Sequence, residues 1–310
     1  MKNQYVGDVG DYGKYSLLRF LANHGIKVGV NWFLTKNDGS TDGKFTDYLK
    51  EGSEKIYDPV VFSELKKIVD THKRCKRTVQ MVQDTGLIPN AMYFDEELKS
   101  HKTSPLERAW ERRLWYKRSI SDLQDVDLVF ADPDNGITYK KTARLKDSIR
   151  YVLPEEIAQY YYSGKDVVYY CHKGRRTCEE WNKAKTQILE SVHDARIFVL
   201  TYHKGTQRSY IFVIHPERAK QYESLLTEFI SDTEWGKNKK FTRECVIEIR
   251  GKLPPDICAG WAVINYFQKP FRTKVEKEKI LHRMSNAEID ELINAAHCIQ
   301  AKIFYSSFKK

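Results

Sequence analysis

The 310-residue chain contains no apolar run approaching the roughly 18 consecutive residues of a membrane-spanning helix, which argues against a helical membrane protein. Its opening, MKNQYVGDVGDYGKY, has no apolar segment of the secretory type, so a cytoplasmic protein is the expectation. Cysteine is sparse. The six cysteines, at 75, 171, 178, 245, 258 and 298, show no framework spacing, and reduced thiols follow from that. Cys171 and Cys178 lie near His172, but without a second Cys-x-x-Cys pair they read as structural thiols rather than a zinc site. Internal repeats of solenoid type and low-complexity tracts are also missing.

What is present suits a packed, charged protein. Hydrophobic residues make up 41% of the chain and aromatic residues 13%, ample for a core. Lys and Arg number 52 against 42 acids, and the formal charge of +10 leans toward a polyanionic partner such as nucleic acid, DNA or RNA. The sequence does not fix the oligomeric state.

Apolar runs alternate with stretches of helical spacing. KVGVNWFL (27–34), AMYF (91–94), DLVFAD (127–132), DVVYYCH (166–172) and RIFVLTYH (196–203) are continuous rather than alternating, the mark of strands buried on both faces. Between and before them, YSLLRFLANHG, ERAWERRLWYKRSISDL, LPEEIAQYYYS and TCEEWNKAKTQILESV carry helical spacing, with Gly25 at a C-cap and Thr177 at an N-cap. Such alternation predicts an α/β fold with a mostly parallel, Rossmann-like sheet. SYIFVIHPE (209–217) follows RIFVLTYH too closely for a parallel return, so the two form a terminal antiparallel hairpin. This is the arrangement of Rossmann-like methyltransferases.

The core is expected to span 1–232, closed by a helix at QYESLLTEFI. Residues 233–310 are expected to be a basic, mainly helical appendage, with 15 Lys and Arg against 9 acids. Ser285 is placed to cap its last helix, and the KNKK run at 237–240 reads as a solvated loop.

Ligands of a doubly wound sheet bind beyond the carboxyl ends of its strands. Several candidate residues gather at that rim: Asn37, Asp38 and Asp42 beyond the first strand, then Asp132, Asp134 and Asn135 in Asp132-Pro133-Asp134-Asn135-Gly136. His172, Arg175 and Arg176 follow the next strand, and His203 and Arg208 sit at the hairpin. Read blandly, the Asp-Pro-Asp-Asn-Gly stretch is a turn, because Pro presets φ and Asn-Gly tolerates positive φ. VGDVGDYGKY would likewise be a loop and helix cap with Asp11 at the cap. Trp110, Trp115 and the run Tyr160-Tyr161-Tyr162 read as core or groove residues, although the tyrosines could stack bases.

NQYVGDVGDYGKYSLLRFL, GVNWFLTKNDGSTDGKFTDYL, DLVFADPDNGI and YYCHKGR together resemble a bacterial protein family that carries these four blocks, over roughly residues 3 to 215. The layout is more distantly similar to the ribosomal RNA adenine-N6 methyltransferases, which place an Asp-Pro-Pro-Tyr motif after the fourth strand. That resemblance implies an S-adenosylmethionine-dependent enzyme acting on nucleic acid. Asp132 would accept the substrate amine, with Asp134 and Asn135 beside it and His172 and Arg175 along the substrate side. Arg176, His203 and Arg208 would bind substrate. Lys14, Asn37, Asp38 and Asp42 would face the cofactor. The chain departs from the motif, since Asp134 and Asn135 replace the second proline and the stacking aromatic residue. Its loop after the first strand has only Gly39 and Gly43 in place of a glycine-rich turn.

Two other readings remain open. Asp132, Asp134 and His172, with Asp38 or Asp42 opposite, have the donor chemistry for Mg2+ or Mn2+, and a metal-activated water would make the protein a nuclease. A catalytically inactive module binding nucleic acid or a partner protein is the third.

Overall fold

The computed structural model describes residues 1–246 apart from 100, 103, 140–142, 175 and 245, together with the isolated residues 286 and 309. Most of the expected C-terminal appendage, with Ser285, therefore lies outside the described residues.

Among the described residues a seven-stranded sheet organises the chain: β1 (Val28–Asn31), β2 (Met92–Phe94), β3 (Leu128–Ala131), β4 (Asp166–Cys171), β5 (Arg196–Lys204), β6 (Thr206–Ile214) and β7 (Phe241–Arg243). The spatial order is β2-β1-β3-β4-β6-β5-β7. β1 to β4 are mutually parallel, while β6 runs antiparallel to both β4 and β5. The hairpin expected from sequence is present, and its second strand inserts between β4 and β5. The fold is α/β, with a mixed sheet that is parallel through its first four strands.

Alternate residues of each strand serve opposite faces, as the two-residue period of a strand requires. Leu128 and Phe130 join one buried cluster with Tyr12, Leu18, Leu65, Leu226 and Phe229. These come from α1 (Val9–Asn23), α3 (Pro59–Thr71) and α8 (Ala219–Asp232), in a chain that also forms the short α2 (Tyr48–Glu51) and α4 (Val79–Asp84). Val129 and Ala131 join the other cluster with Trp115, Ile157 and Trp181. These belong to α5 (Pro105–Asp122), α6 (Pro154–Tyr162) and α7 (Cys178–Thr186). Trp115, Tyr160 and Tyr161 are core residues, and Trp110 is exposed.

α1 begins six residues before the Tyr15 start that its apolar spacing suggests. The reason is its cap: Asp8, not Asp11, accepts the Gly10 N–H at 3.1 Å. Gly10 and Gly13, in the stretch that reads as a loop and helix cap, lie inside the helix and allow a close approach. A Cβ at Gly13 would lie 2.9 Å from the Tyr202 ring, and one at Gly10 2.5 Å from Arg208 Nε. β1 stops at Asn31 because the Asn31 side chain accepts the Phe33 N–H at 3.0 Å and Phe33 turns to a φ of 43°.

Residues 233–244 continue the core. A short α9 (Glu234–Lys237) buries Trp235, and β7 pairs with the outer edge of β5 and buries Phe241. Part of the stretch that charge alone groups with the appendage is thus sheet.

Candidate functional site

The strand order reverses at β1, whose neighbours β2 and β3 lie on either side, so the switch falls between the carboxyl ends of β1 and β3, the place where sheets of this kind bind ligands. Asp132 is the first residue beyond β3, and its N–H donates to Asn31 O at 3.0 Å. α1 precedes β1 and runs opposite to it, which brings the start of the helix to the same rim. From there Lys14 Nζ reaches Asp132 Oδ2 at 2.6 Å and Asp11 Oδ1 at 2.7 Å, all three side chains being buried. The ammonium also lies 5.0 Å from the Tyr15 ring centroid and 5.7 Å from that of Trp32.

The electrostatics follow from that enclosure. Burial pushes the Lys14 ammonium toward losing its proton, but Asp11 and Asp132 outweigh it and hold its pKa above the ordinary lysine range. Burial pushes the Asp11 carboxyl up, opposed by Lys14 and reinforced by Asp132 and Asp8.

A second group of charges adjoins the first. Lys2 Nζ lies 2.6 Å from Asp134 Oδ2 and 3.3 Å from Asp38 Oδ2, and the Met1 amino group lies 2.9 Å from Asp134 Oδ1. Burial raises the Asp134 pKa, yet the Met1 ammonium and Lys2 outweigh it and hold the carboxyl below its usual range. The Met1 nitrogen also donates to Asp132 O at 2.8 Å and Phe33 O at 3.3 Å. Two carbonyls that accept from it and one carboxylate ion-paired with it therefore surround one nitrogen beyond the carboxyl ends of β1 and β3.

The Asp-Pro-Asp-Asn-Gly corner is tied down from behind. Asn135 N donates to Arg150 O at 2.8 Å and Val152 N to Gly136 O at 3.0 Å. Gly136 has a φ of 86°, and a Cβ there would lie 2.9 Å from Cys171 Cα. The segment that receives this turn, a 3-10 turn at Lys146–Arg150 and the residues after it, is in turn anchored through Arg112, whose Nε and Nη2 meet Glu156 Oε1 and Oε2 at 2.6 and 2.9 Å. Its Nη1 and Nη2 donate to Ser148 O and Tyr151 O at 2.9 and 2.7 Å. The corner is a turn in its backbone and a charge centre in its side chains.

The other expected residues are placed as follows. The Asn135 side chain points to solvent. His172 is half-buried just past β4, and its Nδ1 has no hydrogen-bond partner among the described residues. Arg175 lies outside the described residues. Arg176 Nη1 donates to His172 O at 2.8 Å, so it braces its own turn. Arg208 braces the hairpin through Lys204 O at 2.7 Å and reaches Asp8 Oδ1 at 3.3 Å, which brings it to the start of α1. His203 is drawn away. Its Nε2 meets Thr242 Oγ1 at 2.7 Å on the β7 side, and β5 stands three strand positions from β3, about 14 Å.

The loop expected at the cofactor folds back on the start of the chain. Asn37 Oδ1 accepts the Gln4 N–H at 3.0 Å, and Asp38 Oδ1 accepts from Gln4 Nε2 at 3.2 Å. Burial would raise the Asp38 pKa, but the Ser40 hydroxyl and N–H, with Lys2, hold it well below the usual range. Asp42 is exposed, and its carbonyl accepts from Arg74 at 2.6 Å. Lys14, Asn37, Asp38 and Asp42 thus do not converge on one ligand. A different acid stands where a doubly wound sheet meets a ribose. Asp95 follows β2, is exposed, and accepts a bond from Gln83 at 3.1 Å.

The carboxylates of the expected metal set hold ammonium groups: Asp132 holds Lys14, and Asp134 holds Lys2 and Met1. Among the described residues no group of three or more His, Cys, Asp or Glu side chains is placed to hold a metal ion. As placed, these residues do not fit Mg2+ or Mn2+.

Sequence reasoning missed Lys2, Asp8 and Asp11 as members of the site. The signal was the spacing of Asp8, Asp11 and Lys14 at three-residue steps, which brings side chains together only once the helix is started at Val9.

No protein-family model matches the chain, and no curated protein matches it.

Proposed function

We propose that the chain is a Rossmann-like, methyltransferase-like enzyme that acts on an amino group of a nucleic-acid base. The observation that carries this reading is the gathering of Asp132 O, Phe33 O and the Asp134 carboxylate around one position at the strand-order switch, which the Met1 nitrogen fills and which a base amine would take over by displacing it. A base amine needs acceptors of this kind in this place. The antiparallel β6 between β4 and β5 supports the same reading, since an antiparallel hairpin closing a parallel sheet belongs to the methyltransferase arrangement. So does the resemblance of the Asp132-Pro133 corner to the adenine-N6 enzymes, in which a backbone carbonyl and an acidic or amide side chain accept from the amine.

S-adenosylmethionine would supply an electrophilic methyl group, with Asp95 at its ribose hydroxyls. The chain's own residues do the rest. Lys14 pins the Asp132 side chain, which leaves its backbone carbonyl as the acceptor for the amine. With the Met1 nitrogen displaced, Lys2 would still favour the charged Asp134 carboxylate, a negative acceptor that orients the amine and stabilises positive charge developing on its nitrogen.

Calorimetric titration with S-adenosylmethionine, alone and with single-stranded nucleic acid, tests the reading. Saturable binding that Asp95→Ala abolishes supports it. No binding under either condition contradicts it.

A further inference from the structure

Phe45 is an exposed ring on a backbone held from both sides. It is 57% exposed. Its N–H donates to Asp8 Oδ2 at 3.2 Å, and its carbonyl accepts from Val9 N at 2.9 Å. Asp8 is fixed in turn by Arg208 and by capping α1. An apolar ring left largely in water forgoes the stabilisation of burial, so a rigidly presented one is a candidate contact surface. The Lys44 ammonium lies 5.8 Å from its centroid.

One turn further along α1, a second segment is fixed the same way. The Tyr12 hydroxyl donates to Glu54 O at 2.7 Å and accepts from Asp58 N at 3.0 Å. The turn it holds leaves Ile56 57% exposed. Tyr57 stacks on Trp235 at 4.8 Å, and Lys240 Nζ lies 5.7 Å from the Tyr57 centroid. Lys204 joins this side through Glu54 at 2.5 Å.

We infer that Phe45, Ile56 and Tyr57, with Lys44 and Lys240, form a track for single-stranded nucleic acid. Bases pack on Phe45 and Ile56, and phosphates meet the lysines. Apolar faces interleaved with single cations match a strand that alternates flat bases with negative phosphates, and stacking of this kind is tolerant of sequence. A duplex hides its base faces, so it offers the track only phosphates. The inference rests on the nucleic-acid reading of the Asp132 corner in one respect: α1 holds Phe45 through Asp8 and Asp132 through Lys14. Asp8 and Lys14 are six residues apart on the start of α1, about 9 Å.

Fluorescence anisotropy with a labelled oligothymidylate of roughly 20 nucleotides, against a duplex of equal length, tests the track. The expected result is salt-dependent single-strand binding that Phe45→Ala weakens roughly tenfold or more and Lys44→Ala weakens with a shallower salt dependence. Trp110, on α5 at the other face of the sheet, is 54% exposed with the Arg113 guanidinium 5.3 Å from its ring, so Trp110→Ala is the control and is expected to change nothing. Unchanged binding by folded Phe45→Ala, an equal loss in Trp110→Ala, or no single-strand binding by the wild type overturns the track. Titrating S-adenosylmethionine into the same proteins separates the two proposals. Cofactor binding without Phe45-dependent strand binding sinks the track alone, whereas Phe45-dependent strand binding without cofactor binding leaves the track and sinks the methyltransferase reading.

Discussion

The Lys14 ammonium meets the Asp132 carboxylate at 2.6 Å across 118 positions of sequence, and joins the first helix to the loop beyond the third strand. This buried pair fixes the rim on which the proposed chemistry depends. Removing one partner leaves the other charge without compensation in the interior.

Lys14→Met is therefore expected to destabilise the fold by about 3–5 kcal/mol, read from urea unfolding. A loss under about 1 kcal/mol would show that water already reaches the site. The pH dependence has a definite sign. Because the folded pKa of Lys14 is raised, its contribution is complete below the ordinary value of 10.5 and fades only as pH rises through the higher folded value.

Arg112→Met strands the fully buried Glu156 and releases the segment behind the Asp-Pro-Asp-Asn-Gly corner, with an expected cost of about 3–5 kcal/mol. The double variant Arg112→Met with Glu156→Leu is expected to recover much of that loss, because no charge is left unpaired. A double-mutant cycle on thermal unfolding reads the difference, and strictly additive losses would contradict the pairing.

Glu155 gives a pH signature of its own. Burial, with a smaller push from Glu156, raises its pKa to about 7. A raised carboxyl stabilises most below its unfolded value of 4.5, and that stability is lost as pH rises through about 7. Glu155→Gln is thus expected to be near neutral at pH 4 and stabilising by about 1 kcal/mol or more at pH 8. Equal effects at both pH values would show that Glu155 titrates normally.

Gly136→Ala tests the backbone of the corner. A φ of 86° and a Cβ 2.9 Å from Cys171 Cα leave no space for a methyl group. A loss of about 2 kcal/mol or more in unfolding free energy is expected, and an unchanged midpoint would mean that the turn adopts another conformation.

Much of the fold was legible because strands buried on both faces announce themselves as continuous apolar runs, as LVFA and VVYY do. The short spacer between Tyr202 and Ser209 forced the hairpin, but not the insertion of its second strand between β4 and β5, since strand order is set by packing at long range. β7 was not legible. Phe241–Arg243 is three residues long and follows a run of lysines, so composition masks it. At the site, Asp132 and Asp134 were visible as acids closing a strand, whereas their partners were not. Lys2, Asp8 and Asp11 sit in a glycine-rich stretch that reads as loop, and its helix forms because tertiary contact with Tyr202 and Arg208 favours the glycines. His203 shows the converse, a strand-end histidine that Thr242 of an unforeseen strand draws aside.

The most direct test is transfer of a labelled methyl group from S-adenosylmethionine to single-stranded nucleic acid, comparing wild type with Asp134→Asn. The expected result is incorporation at a base amino group by the wild type and a loss of roughly 100-fold in the variant, the scale of losing one charged group that stabilises the transition state. Cofactor-dependent incorporation that Asp134→Asn leaves untouched, or none by the wild type, would contradict the assignment of the Asp132–Asp134 corner as an amine-modifying site.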